Sequence, residues 1–234
     1  MIRPRHNREV PPRPRAFAFD AYGTLFDVHS VVLRGDHGIA GELRALSDLW
    51  RRKQLESTWL LALMERYEDF WKVTGAALRA SIRELGIEAT GLQLQRLMDA
   101  YLSPLPFPEV RSALEYLDGV PLAILSNGTA KMLELAVANS GLTSRFAHVI
   151  SVDQVRTYKP SPRVYALGPE ILHIPAAEIL FISSNTWDAA GAKAYGYQVC
   201  LCNRSGAELD DMGFAPDFTV SRLDRIAGKT GFRP

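Results

Sequence analysis

The stretch Ala16-Phe17-Ala18-Phe19-Asp20-Ala21-Tyr22-Gly23-Thr24 decides the fold. Four apolar residues ending in an acid, with a glycine three positions further on, describe a buried strand that runs into a turn. The pattern recurs at Pro121 to Ser126, Val149 to Val152, Ile179 to Ser183 and Gln198 to Cys202. Between these runs, Thr129 to Ser140, Pro162 to Leu172 and Thr186 to Tyr195 are helix-like. Strands alternating with helices of this length predict an α/β fold around a parallel sheet.

One segment breaks the rhythm. From Ser30 to Ser103 there is no strand-like block, and Leu43 to Val73 and Ala76 to Leu85 are rich in Leu, Arg, Glu, Ala and Trp. This predicts an all-helical insert, a cap placed after the first strand. Its exit, Ser103-Pro104-Leu105-Pro106-Phe107-Pro108, reads as a proline-stiffened linker. The expected organisation is a basic, disordered arm (1–15), a core (16–29 and 104–234) and a helical cap (30–103).

The chain has 234 residues, 47% hydrophobic, with 27 Lys and Arg against 26 Asp and Glu. That balance gives no electrostatic reason to expect nucleic acid or an anionic membrane as partner. Arg3, Arg5, Arg8, Arg13 and Arg15 crowd the first fifteen residues against Glu9 alone, among four prolines and without an apolar block. Such a segment lacks the hydrophobic region of a secretory signal. No apolar run approaches the roughly 18 residues of a membrane span. The two cysteines, Cys200 and Cys202, share one face of a strand and read as small buried hydrophobes. A soluble, reduced, cytoplasmic protein is expected.

Ligands of a parallel α/β sheet bind outside the carboxyl ends of its strands. Four polar clusters fall there: Asp20 to Thr24, Ser126-Asn127-Gly128-Thr129, Lys159-Pro160-Ser161-Pro162, and Ser183-Ser184-Asn185-Thr186-Trp187-Asp188. Each has a purely structural explanation. Asp20 to Gly23 can be a turn; Thr129 and Asn185 can cap helices; Lys159 can be a solvated loop lysine ahead of a Ser-Pro helix start. Turn chemistry is a poor account of four such clusters at successive strand ends.

These residues resemble the haloacid dehalogenase superfamily and, within it, the L-2-haloacid dehalogenases. The likeness runs from Phe19 to about Asp217 and rests on Asp20 to Val32, Leu49-Trp50-Arg51-Arg52-Lys53-Gln54, Leu125 to Gly128, Tyr158-Lys159-Pro160 and Ser183 to Asp188. The fold it implies is a Rossmann-like core with a helical cap. Superfamily phosphatases place a second Asp two residues after the first and another acid near the fourth strand, where this chain has Tyr22 and Ser184. A departing halide needs no proton, so the missing general acid cripples phosphate-ester cleavage and costs dehalogenation little. Fewer carboxylates also mean fewer hard ligands for Mg²⁺, and the expected site uses no metal and no cofactor.

The resemblance implies that Asp20 displaces halide from a small L-2-haloacid and that water then cleaves the aspartyl ester. A cation about 4 Å from a buried carboxylate is worth roughly 4 kcal/mol at an effective dielectric near 20, and Lys159 is assigned that place. By the same resemblance Ser126 holds the substrate carboxylate, and Thr24 and Ser183 orient the nucleophile. Arg51 and Asn127 receive the halide, Asp188 with Asn185 activates water, and Tyr165 steadies the site. Ala21, Tyr22, Leu55, Phe70 and Trp187 are expected to wall the substrate, while His29, His148 and His173 carry no ligand role. The implied partners are haloacid, water and halide, in a protein whose relatives are commonly homodimers. The alternatives are an Mg-dependent phosphatase and a catalytically silent carboxylate-binding protein.

Overall fold

The computed structural model describes residues 13–208 and 211–231. In chain order the elements are β1 (Ala16–Phe19), β2 (Phe26–Asp27), α1 (Ser30–Leu33), α2 (Leu43–Leu63), α3 (Phe70–Glu84), α4 (Gly91–Ala100), β3 (Leu105–Pro106), α5 (Val110–Glu115) and β4 (Leu122–Ser126). There follow α6 (Ala130–Asn139), β5 (His148–Ser151), α7 (Pro162–Tyr165), α8 (Leu167–Leu172), β6 (Ile179–Ser183), α9 (Thr186–Tyr195), β7 (Gln198–Cys202), β8 (Phe218–Val220) and α10 (Ala227–Thr230).

Among the described residues, six strands form one sheet in the order β5-β4-β1-β6-β7-β8. Every pairing in it is parallel. The apolar run of β1 lies at its centre, with Phe17 in register with Leu122 on one side and Leu180 on the other. Helices cover both faces, and all four β1 side chains are buried, as a continuous apolar strand requires. The chain leaves β1 towards β4 and β5, then returns to β6 on the opposite flank. The crevice at the carboxyl ends of β1 and β6 is therefore a topological switch point, where ligands of such sheets bind.

Helices alone, α1 to α4, occupy Ser30 to Ala100 as defined elements, with α2 packed along α3. The expected helical stretch Leu43 to Val73 is interrupted: α2 ends at Leu63, Glu65 takes a left-handed φ of 54°, and Asp69 caps α3 by accepting from Lys72 N. Pro162 to Leu172 is likewise two short helices, α7 and α8. The exit segment is more than a stiff linker. Its β3 pairs antiparallel with β2, Asp27 opposite Leu105, and Phe107 N donates to Leu25 O at 3.0 Å. The two chain crossings into and out of the helical segment are thereby joined.

Most of the expected basic arm lies outside the described residues. Arg15 does not fit a free arm, because its backbone N donates to Glu178 O and its guanidinium pairs with the Glu178 carboxylate at 2.7 Å. The short parallel edge strand β8 was not foreseen. Cys200 and Cys202 are buried and unpaired on β7, and burial pushes both thiols up. No helix among the described residues is long and apolar enough to cross a membrane.

Candidate active site

Asp20 directly follows β1, at the switch point. The residue is 6% exposed, and its carboxylate is held from three directions. Oδ1 accepts from Lys159 Nζ at 3.1 Å, and Oδ2 accepts from Thr24 Oγ1 at 3.1 Å and Asn185 Nδ2 at 2.8 Å. The structural alternative, a side-chain cap on α9, is not what Asn185 forms: it makes no side-chain capping bond, and its Nδ2 donates to Asp20 and to Tyr22 O. Ser183 Oγ fixes Asn185 by accepting from its backbone N at 3.1 Å. Thr24 Oγ1 also accepts from Ser184 N at 2.8 Å, which orients its proton towards Asp20.

Lys159 is fully buried, contrary to the solvated-loop alternative. Its ammonium bridges Asp20 and Asp188, donating to Asp188 Oδ2 at 2.9 Å, and lies 4.9 Å from the Phe181 ring centroid. Its backbone N donates to Asn127 Oδ1 at 3.0 Å, so the loop after β4 positions the lysine. Asp188 stands in the first turn of α9, and its Oδ1 accepts from Tyr165 Oη at 2.7 Å. One buried ammonium faces two buried carboxylates. Burial is the main force raising the Asp188 carboxyl above its ordinary range; Lys159 opposes it, and the charge of Asp20 adds to it.

Ser126 Oγ accepts from Gly128 N, which leaves its proton to donate. The packing around that turn is close: a Cβ on Gly128 would lie 2.9 Å from Tyr22 Cε2. Thr129, as expected, caps α6 by accepting from Met132 N. Arg51 reaches from α2 to the strand-end loop, where Nη2 donates to Tyr22 O at 3.1 Å. Tyr22 packs on Phe70 and Tyr101, with ring centroids 6.1 and 5.4 Å away. Ala21 is buried, and Leu55 and Trp187 are half-buried. His29 contacts Ser47 and Asp48 and lines the same cavity as Arg51 and Leu55.

Two contributors escaped the sequence reading. Trp59 sets its ring at 76° to that of Trp187, 5.5 Å between centroids, and lines a cavity of about 340 Å³ with Arg51 and Leu55. Its buried Nε1 and the Tyr22 hydroxyl have no partner among the described residues. Arg204 follows β7 and donates to Ser184 Oγ at 2.9 Å, to Thr24 O at 2.9 Å and to the buried Glu109 at 2.8 Å. The strand-end rule applied to β7 as well would have found it. Among the described residues no three His, Cys, Asp or Glu side chains converge to hold a metal ion.

Fold and site together define an α/β protein whose polar cluster sits at the carboxyl edge of a parallel sheet, beside a helical insert. A family model for haloacid dehalogenase-like hydrolases matches residues 14–196. The (S)-2-haloacid dehalogenase of Pseudomonas sp. (strain YL) is 47% identical over 214 residues, 91% of this chain and 92% of that one. Haloacetate dehalogenase H-2 of Moraxella sp. (strain B) is 48% identical over 213 residues, 90% and 95% of the two chains. The solved L-2-haloacid dehalogenase of Xanthobacter autotrophicus with chloropropionic acid covalently bound is similar at TM-score 0.87 and 38% identity, covering 94% of this chain and all of that one. The chain belongs to the haloacid dehalogenase-like hydrolases and, within them, to the L-2-haloacid dehalogenases.

Proposed function

We propose that this enzyme hydrolyses small L-2-haloacids, such as haloacetates and 2-halopropionates, to 2-hydroxyacids with inversion at C2. The observation that carries the reading is the Asp20 carboxylate held by Lys159, Thr24 and Asn185, with Asp188 on the same ammonium. One carboxylate oxygen of Asp20 attacks C2, the carbon–halogen bond breaks with its electron pair leaving on the halide, and an aspartyl ester forms. Water then attacks the ester carbonyl carbon of Asp20. It loses a proton to Asp188, the tetrahedral intermediate collapses to the Asp20 carboxyl, and the departing alkoxide takes the proton back from Asp188 to become the hydroxyacid.

Ser126 and the strand-end amides hold the substrate carboxylate, a task suited to donors converging on an anion. Arg51 and Asn127 take the halide. Arg51 brings charge-assisted donors, and the Asn127 Nδ2 hydrogens have no partner among the described residues. Tyr165 holds Asp188 in place, while Ala21, Tyr22, Leu55, Phe70 and Trp187 wall the alkyl group. The donor set does not suit a divalent cation, because the two carboxylates already share Lys159 and Arg204 occupies Ser184. The phosphatase reading also lacks an acid at Tyr22.

The buried, unpaired cysteines suit the reducing cytoplasm. A homodimer through the helical insert is supported by the outer end of α2, where Leu60, Leu63 and Met64 are 57%, 82% and 58% exposed.

The test is halide release from L- and D-2-chloropropionate with a chelator present, for the wild type and Asp20→Asn. Release is expected from the L enantiomer alone and lost in the variant. A single turnover in heavy-oxygen water should place the label in the Asp20 carboxylate. Label appearing directly in the hydroxyacid would reject the ester.

A further inference from the structure

The guanidinium of Arg51 is anchored by a side chain that the proposed mechanism leaves unused. Gln54 lies three residues on along α2, on the same helical face, and is fully buried. Its Oε1 accepts from Arg51 Nη1 at 2.8 Å and from Tyr101 Oη at 3.1 Å. Its Nε2 donates to Thr74 Oγ1 at 2.7 Å. Thr74 Oγ1 in turn donates to Phe70 O at 2.6 Å, one turn back in α3.

This chain of bonds has only one direction. The Thr74 proton is committed to a backbone carbonyl, so Thr74 can only accept from Gln54. The carboxamide must therefore point its nitrogen at α3 and its oxygen at Arg51. Trp50 Nε1, donating to Thr74 O at 2.8 Å, ties α2 to the same turn of α3. Arg51 is thus clamped by Gln54 at Nη1 and by Tyr22 O at Nη2, with the Tyr101 hydroxyl as a further partner, and its remaining N–H donors are left for an anion.

We propose that Gln54, oriented by Thr74 and Tyr101, is a positioning residue that holds the Arg51 fork where the departing halide needs it. The proposal rests on the reading of Arg51 as halide receiver. A donor aimed in advance stabilises charge that develops only as the bond breaks. Its loss should therefore weigh most on the poorer leaving group, which relies more on that stabilisation.

The experiment compares kcat/KM for L-2-chloropropionate and L-2-bromopropionate, a quantity that covers every step through halide loss. It uses wild type, Gln54→Met, Arg51→Lys and the double variant, with thermal melts of each. Gln54→Met should lower the chloride reaction by about ten- to a hundredfold, the size of a lost hydrogen bond to a charged group. The bromide reaction should fall less, so the bromide-to-chloride ratio rises as in Arg51→Lys, and the double variant should raise it no further. A merely structural role would lower both substrates in the same proportion. That result, or an unchanged ratio in Gln54→Met while Arg51→Lys raises it, overturns the proposal. An unchanged ratio in Arg51→Lys itself overturns the halide assignment, and this inference with it. If Gln54→Met does not fold, Thr74→Val, which frees the carboxamide to turn, is judged by the same ratio.

Discussion

Lys159 places its ammonium between two buried carboxylates, Asp20 and Asp188. Lys159→Met keeps the volume and leaves two buried acids without a counter-charge, a change expected to cost about 3–5 kcal/mol at pH 8. Urea unfolding should show the deficit shrinking on acidification, because protonated carboxyls need no cation. The pH profile of wild-type kcat tests Asp188. As the proposed proton acceptor it must be ionised, so activity should fall as pH drops through its raised pKa, above the roughly 3.9 of a free aspartate. Tyr165 donates to the anion and favours it. Tyr165→Phe should therefore move the acid limb of kcat to higher pH. A limb that stays in place would remove Tyr165 from the role given to it.

At the level of elements, the site depends on how closely α9 approaches the Lys159–Tyr165 segment. Gly191 lies one turn after Asp188, and a Cβ there would come within 2.6 Å of Tyr165 Oη and 2.8 Å of Pro160 Cβ. Alanine in a helix is ordinarily worth about 1 kcal/mol over glycine. Here the sign should reverse: Gly191→Ala is expected to lower the melting temperature and kcat together, by driving the tyrosine hydroxyl off Asp188. The break between α2 and α3 was not readable from composition, since Met64 to Asp69 contains neither glycine nor proline. It is made by Glu65 in a left-handed conformation and by the Asp69 cap. The polar ends of β1, β4 and β6, by contrast, were legible, because an apolar run that stops at a polar residue is a local signal, whereas β5 ends at Ser151 and the Lys159 cluster comes well after it.

Across the whole molecule, the exposed apolar end of α2 is where the proposed dimer can be tested. Leu63→Glu, on a side chain 82% exposed, should leave the melting temperature of the folded chain nearly unchanged and shift sedimentation from dimer to monomer. If the wild type sediments as a monomer at micromolar concentration, the dimer proposal fails. The molecule also shows why an insert can serve a distant site: β2 and β3 join its two ends beside the Asp20 loop, so Arg51 on α2 can reach Tyr22 O.

By itself, the amino-acid sequence determined the alternation of strands and helices, the position of the helical insert and the residue types at the strand ends. These follow from periodicity and turn chemistry within about ten residues of each other. Only the tertiary structure decided that Lys159 serves two acids, 139 and 29 positions away. It also decided that Asn185 gives up its cap for Asp20, that Arg204 braces the loops beneath them, and that Gln54 turns its oxygen to Arg51. Contacts of that separation are chosen by packing and by the need to pair every buried polar group, and neither leaves a mark in local sequence.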